Sequence, residues 1–356
     1  MTDLVQLREK RIVTSKRFRD GKFHNTAVTR MMREPFGASM AWDFVAKSRA
    51  RSPSLPLPLF AETKKALSSS SSSALRLTWL GHSTVLIEID GVRLLTDPVW
   101  GERASPVAFG GPKRFHRPPL ALADLPPVDA VVLSHDHYDH LCKHTVRALA
   151  SGASPNFSGR FITALGVGAH LERYGVLPGN ITELDWGEGK KVGDVDVTAV
   201  PAQHFSGRGA LDRNHTLWAG MVMKGPRHSV FFSGDTGPTP EHKDIGASFG
   251  PFDVALFEIG AWHPSWGDIH LGAMGAYQAF TDINARALLP VHWGTFDLGL
   301  HPWEEPAELL YNKAVDDDAP LWTPRIGEPL SWTARTGSSG ASTSPTPWWR
   351  EALVKR

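Results

Sequence analysis

The chemistry in this sequence is concentrated in one segment, Val131-Val132-Leu133-Ser134-His135-Asp136-His137-Tyr138-Asp139-His140-Leu141. An apolar run enters a cluster of three histidines and two aspartates. Side chains two positions apart in extended backbone share a side, so His135 and His137 can hold one metal ion. Asp139 and His140 follow as the chain turns toward a helix, where they can face a second ion. Four ligands cannot fill two sites, so further ligands are expected at other strand ends. Three segments offer them: Pro201-Ala202-Gln203-His204, Phe231-Phe232-Ser233-Gly234-Asp235-Thr236-Gly237 and Leu289-Pro290-Val291-His292-Trp293-Gly294. Asp235 reads either as a turn residue or as a carboxylate able to bridge two cations. Cys142 is the only cysteine among 356 residues, against 16 histidines. An intrachain disulfide framework and a thiolate-rich zinc finger are therefore excluded, and imidazoles and carboxylates must do any metal binding.

Such ligands need strands that end together. Order begins at Leu75. Leu75–Leu80, Thr84–Ile89 and Val92–Leu95 read as strands, the last two joined by an Asp90-Gly91 hairpin turn. Apolar runs recur at Val128–Leu133, Phe161–Ala164, Val195–Pro201, Thr216–Met223, Val230–Phe232, Val254–Ile259 and Ala287–Val291. Helical periodicity falls between some of them, at Lys143–Ala150, Val167–Arg173, Leu271–Ile283 and Glu304–Val315. Strands that cluster and then alternate with helices predict a layered α/β fold. The expected organisation is a basic N-terminal arm with a Ser-rich linker at 1–74, one layered α/β domain at 75–335 that carries the metal cluster, and a mobile tail at 336–356. Trp348-Trp349 offers that tail an anchor.

The formal charge is +1, from 38 Lys+Arg and 37 Asp+Glu, and the hydrophobic content of 41% is enough for a large core. Gly and Pro together make 60 residues, about 17% against roughly 12% in ordinary globular chains, so loops are abundant. Charge is uneven: residues 1–60 carry 12 basic and 5 acidic side chains, a net +7, which leaves −6 for the rest. No run approaches the length of a membrane span, and the N-terminus lacks a secretory h-region. The expected location is the cytoplasm, with peripheral membrane contact through the basic arm. The acidic remainder carries no basic stripe, so a nucleic-acid partner is not expected.

The spacing HxHxDH, then a histidine, then Ser-Gly-Asp-Thr-Gly, then a final histidine, resembles the metallo-β-lactamase superfamily. Within it the chain is most similar to the N-acylphosphatidylethanolamine-hydrolysing phospholipase D group. That likeness is carried by Thr78-Trp79-Leu80-Gly81-His82-Ser83-Thr84, Leu95-Thr96-Asp97-Pro98, Gly111-Pro112-Lys113-Arg114-Phe115, Glu183-Leu184-Asp185-Trp186, Phe249-Gly250-Pro251-Phe252-Asp253, Ile259-Gly260-Ala261 and His292-Trp293-Gly294-Thr295-Phe296. The resemblance implies an αββα sandwich with two zinc ions at one edge, other divalent transition metals being able to substitute. By position, His135, His137 and His204 would bind one ion, Asp139, His140 and His292 the other, and Asp235 both. It also implies an active-site histidine near the substrate phosphate, for which His270 is the match; Asp139 and His270 are the candidate catalytic residues. The loop before His270, Trp262 to Ile269, is shorter than in the phospholipases.

Two cations that share a hydroxide and clamp a phosphoryl oxygen suit phosphodiester hydrolysis, so the expected substrate is a phospholipid or a small phosphodiester. A lactone, a small phosphoester or non-catalytic metal binding stays open, as does the oligomeric state. His270 precedes a helix and also reads as a cap-region residue. His82 and Asp97, at early strand ends, are expected either to support ligands or to bond structurally. Trp218, Trp262, Trp266 and Phe205 are candidates for a groove wall or for the core, and His215, His242 and His301 for the surface.

Overall fold

The computed structural model describes residues 3–32, 42, 50–68, 75–107, 109–332 and 345–353. Ser69 to Ser73 of the serine run and residues 336–344 of the tail lie outside the described residues. The chain opens with helix α1 (Asp3–Thr14), a short hairpin of β1 (Phe18–Arg19) and β2 (Lys22–Phe23), and helix α2 (Thr63–Ser68). Strands β3 (Leu75–Gly81), β4 (Thr84–Ile89), β5 (Val92–Thr96) and β6 (Ala130–Leu133) follow. Helix α3 (Lys143–Ala150), strand β7 (Phe161–Ala164), helix α4 (Gly168–Arg173) and strand β8 (Ile181–Leu184) complete the first half. The second half runs β9 (Gly189–Val192), β10 (Val195–Val200), β11 (Gly220–Lys224), β12 (Ser229–Phe232) and helix α5 (Glu241–Phe249). It continues with β13 (Val254–Glu258), α6 (Gly272–Asp282), β14 (Leu288–Val291), α7 (Glu305–Asp316) and β15 (Pro329–Trp332).

The strands sort into a seven-stranded sheet, β15-β3-β4-β5-β6-β7-β8, and a six-stranded one, β14-β13-β12-β11-β10-β9. Every residue of β3, β4, β6, β12 and β13 is buried. Such strands are covered on both faces, by the opposing sheet and by helices; this is the αββα sandwich. The predicted Asp-Gly turn is present, with positive φ at both Asp90 (48°) and Gly91 (90°) and Ile89 opposite Val92.

Strand direction decides which residues can meet. β3 and β5 flank β4 antiparallel, and β5, β6 and β7 run parallel. In the other sheet β12, β13 and β14 run parallel, and β10 shares their direction because β11 is antiparallel to both β10 and β12. The carboxyl ends of β3, β5, β6, β10, β12, β13 and β14 thus deliver their next residues to one edge, where α/β sheets place their ligands.

Both ends of the chain pack against this body. Arg8 of α1 is buried and pairs with Glu183 and Glu172, while Arg11 donates to the Glu183 carbonyl at 2.8 Å. The basic segment is therefore not a free arm over residues 3–32: two of its cations neutralise carboxylates of the β8 region. At the other end Trp348 and Trp349 are fully buried. Trp348 lies 5.5 Å from Trp293, which stacks on Trp79 at 5.3 Å.

Candidate metal centre

All seven candidate ligands meet at that edge. The loop after β6 brings His135, His137, Asp139 and His140; β10 leads to His204, β12 to Asp235 and β14 to His292. Ligand atoms of His135, His137, His204 and Asp235 lie within 4.8 Å of one another, as do those of His82, Asp139, His140 and His292. Asp235 sits between the groups, its oxygens 3.8 Å from His135, 3.6 Å from His204, 3.1 Å from His140 and 3.3 Å from His292. The turn that presents it is tight. Gly234 has φ 56°, and a Cβ there would come within 2.6 Å of the Ser134 Cβ, so only glycine lets the β12 turn close onto the β6 loop.

The donor set suits cations. His140 Nε2 and Asp235 Oδ1 lie 3.1 Å apart, yet neither makes a hydrogen bond and both are fully enclosed. Buried polar atoms without partners are costly, and atoms that face a common point without bonding one another fit a cation between them. Burial pulls His135 and His204 well below the usual imidazole value, which leaves them in the neutral form that binds metal. Burial alone would raise the Asp235 carboxyl, but His140 and His292 hold it well below the usual carboxylate range. Burial likewise works against charge on His292, yet Asp235 and Asp139 push it up to about 10. Metal binding must displace that proton, so affinity should rise with pH.

Around the ligands stands a layer of supports. Asp97 accepts from His140 Nδ1 at 2.7 Å and from the Ser134 hydroxyl at 2.6 Å. His82 Nε2 donates to Asp139 at 2.8 Å. Asp136, the other aspartate of the cluster, points away and accepts from Gly207 N at 2.8 Å and Thr216 Oγ1 at 2.9 Å; its role is to fix the loop after His204. Asn25, on the N-terminal segment, donates to the His204 carbonyl at 2.8 Å and accepts from the His204 N–H at 3.1 Å.

His270 lies over the junction of the two groups, its ring 5.0 Å from that of His204 and 5.6 Å from that of His292. Its Nδ1 donates to Glu258 at 3.2 Å, and the same carboxylate oxygen accepts the Leu271 N–H at 2.7 Å. With Nδ1 so engaged, Nε2 is the atom left to serve the site. Sequence reasoning passed over Glu258 and Asn25. Glu258 carried the signal used for Asp235, a lone carboxylate closing an apolar strand; Asn25 carried none. Two surface assignments are corrected, since His242 and His301 are both buried: His242 stands edge-on to Phe257 at 5.5 Å, and His301 Nδ1 donates to the Pro302 carbonyl at 2.7 Å. His215 is exposed as expected. Trp218 belongs to the core, whereas Trp262, Trp266 and Phe205 are half-buried. Among the described residues no helix is long and apolar enough to cross a membrane.

Comparison with known proteins agrees with this geometry. Residues 92–293 match the β-lactamase superfamily domain. An uncharacterized protein of Mycobacterium tuberculosis is 44% identical over 342 residues, which cover 94% of this chain and 88% of the relative. N-acyl-phosphatidylethanolamine-hydrolyzing phospholipase D 1 of Caenorhabditis elegans is 38% identical over 273 residues, 72% of this chain and 76% of that one. Among solved structures, an isothiocyanate hydrolase from Delia radicum gut bacteria superposes with a TM-score of 0.58 at 20% identity, covering 73% of this chain and 99% of its own; that likeness concerns the fold alone. A sandwich whose strand ends converge on clustered histidines and aspartates, matched over most of its central sequence, places the chain in the β-lactamase superfamily as one of its metal-dependent hydrolases.

Proposed function

We propose that the chain is a dinuclear zinc phosphodiesterase of the phospholipase D type, acting on N-acylphosphatidylethanolamine-like lipids. The observation that carries this reading is His270, held by Glu258 above the junction of two ligand groups with Asp235 between them. His135, His137, His204 and Asp235 would hold one ion; Asp139, His140, His292 and Asp235 would hold the other. When bound, such ions supply a water acidified toward neutrality and offset charge that develops on a phosphoryl oxygen. The remaining work falls to the protein. Glu258 fixes the His270 tautomer and ring plane, so that Nε2 can bond a phosphate oxygen or hand a proton to the departing alkoxide. Asp97 and His82 hold His140 and Asp139 in place. The relative from Caenorhabditis elegans, named for this lipid class, supports the substrate assignment.

The N-terminal segment supplies the reading of peripheral membrane contact. With Arg8 and Arg11 engaged internally, the exposed cations there among the described residues are Lys10, Lys16, Arg19, Lys22 and Arg30. Zinc-loaded protein assayed side by side on bis(p-nitrophenyl) phosphate, a lactone and N-acylphosphatidylethanolamine in anionic vesicles tests both parts. Phosphodiester and lipid cleavage is expected, the lipid rate alone falling between 0.05 and 0.3 M salt as surface charge is screened over about 8–10 Å. Lactone opening without phosphodiester cleavage would overturn the reading. Equal salt dependence on soluble and vesicle substrates would remove the membrane contact.

A further inference from the structure

The N-terminal segment forms one wall of a cavity of about 300 Å³ that opens beside the candidate ligand His204. Arg19, His24 and Asn25 line it from that segment, Phe205 and Arg213 from across, and among the described residues no acidic side chain lines it. The wall is built in. Besides its two bonds to the His204 backbone, Asn25 accepts from Trp218 Nε1 at 2.9 Å. Farther along, Asp268 N donates to the Arg30 carbonyl at 2.7 Å and Gly267 N to the Met31 carbonyl at 2.9 Å. The segment is thus tied both to His204 and to the loop that leads to His270. On the opposite side Phe205 packs its ring 4.7 Å from His204 and 4.5 Å from His137, and the Arg213 guanidinium lies over Phe205 at 5.1 Å.

Two guanidinium groups flank this cavity, and neither Arg19 nor Arg213 pairs with a carboxylate among the described residues. A substrate group that entered here uncharged would leave both unpaired, and an ammonium group would be repelled. A carboxylate or phosphate would meet planar forks suited to bidentate bonding. We propose that the cavity is a second anion subsite: substrates that carry, beside the bond hydrolysed over the clustered histidines, a further carboxylate or phosphate are held by Arg213 and Arg19 and preferred over those whose only charge is the scissile phosphate. This deepens the phosphodiesterase reading and rests on it for the identity of the scissile group. It ranks diesters with a second negative charge above N-acylphosphatidylethanolamine itself, whose only charge is the scissile phosphate, and disfavours those with a cationic headgroup.

A matched pair of soluble p-nitrophenyl phosphodiesters tests the subsite, one retaining butanol and the other 4-hydroxybutanoate. Zinc-loaded wild-type protein should show a KM about tenfold lower for the carboxylate-bearing diester, with similar kcat. Arg213→Gln and Arg19→Gln should bring that ratio toward one, and Arg213→Lys should restore part of it. Lys224→Gln, an exposed charge change at the far end of β11, should leave the ratio unaltered. A wild-type ratio near one, or a preference that survives in both arginine variants, would overturn the proposal. If neither diester is hydrolysed, the phosphodiesterase reading fails by itself. Calorimetric titration of the same two intact diesters into wild-type and Arg213→Gln protein then decides the subsite by the same comparison.

Discussion

Asp97 supports both groups of ligands at once, which makes Asp97→Asn the most informative single change. It is fully buried just beyond β5. Oδ1 accepts the Ser134 N–H at 2.8 Å, and Oδ2 accepts the Ser134 hydroxyl at 2.6 Å and His140 Nδ1–H at 2.7 Å. Because the Ser134 proton goes to Asp97, the same hydroxyl accepts from His135 Nδ1 at 2.9 Å. One carboxylate therefore holds His140 directly and His135 through a serine, so that both offer Nε2 to a metal. Asparagine keeps the shape but must place its NH₂ at one oxygen position. At Oδ1 it confronts the Ser134 N–H, donor against donor. At Oδ2 it confronts His140 Nδ1–H and the serine hydroxyl, and relief requires both imidazoles to move their proton to Nε2, the wrong nitrogen for coordination.

Loss of such an orienting partner typically weakens a metal site about 10–100-fold, or about 1.4–2.7 kcal/mol. Asp97→Asn should weaken both ions by that amount. Ser134→Ala removes only the relay to His135 and should weaken one. Zinc competition against a chromogenic chelator reads both affinities, and circular dichroism confirms that the variants fold. A folded Asp97→Asn protein whose two affinities lie within about threefold of wild type would refute the orientation argument. Equal loss at both sites in Ser134→Ala would refute the relay.

Other expectations rest on the same geometry. Asp235→Asn removes the charge between the two groups, so metal content and turnover should fall together; two retained ions with wild-type turnover would show that Asp235 does not bridge. His270→Ala should keep both ions and lose about 10²–10⁴-fold in kcat, whereas Glu258→Gln should lose less and displace the pH profile of kcat; metal loss in His270→Ala would make that residue a ligand instead. His242 is held at about 4 by burial, below its unfolded value of about 6.5, so the unfolded chain takes up its proton first as pH falls. Its stabilising effect is complete above about 6.5 and is lost toward about 4, a span worth about 3 kcal/mol. Metal-free His242→Leu should therefore show a shallower fall of Tm with acid, and an unchanged fall would contradict this assignment.

How much of this was legible in the sequence depended on range. His135, His137, Asp139 and His140 share one loop, and His204, Asp235 and His292 each close an apolar strand, so a local pattern exposed them. The inner strands of both sheets were visible for the same reason, because burial on two faces makes continuous apolar runs; the edge strands β8, β9 and β15, half-buried or exposed along half or more of their length, left no such run. Burial of a single histidine leaves no local mark. His242 sits on α5, which the periodicity did not reveal any more than it did α1 or α2, and its partner Phe257 comes from a separate strand. The basic segment misled for a related reason. Its net charge was plain, but the carboxylates that bind Arg8, Glu172 and Glu183, lie about half a chain away. Asn25 and Glu258 matter through what the fold places beside them, His204 and His270, and no spacing rule connects either pair.

Three residues at the centre, His82, Asp97 and His292, have left-handed backbone, with φ of 51°, 31° and 64°. Such conformations cost about 1–3 kcal/mol each outside glycine, a sizeable share of the stability of a domain. All three stand directly after a strand, where the chain must turn sharply for its side chain to face the ligands. The cost persists because the turns are held from several sides. His292 N donates to the His82 carbonyl at 3.0 Å, which ties two of them together, and the His82 N–H is taken by Thr295 Oγ1 at 2.7 Å. Beneath them Trp79 donates to the His82 carbonyl at 2.7 Å and stacks on Trp293, the neighbour of His292. Trp348 and Trp349 close that stack from the C-terminal segment. The aromatic cluster that looked in sequence like an anchor for the tail thus acts in the other direction as well: the tail residues help to keep a strained turn, and with it a candidate ligand, in place.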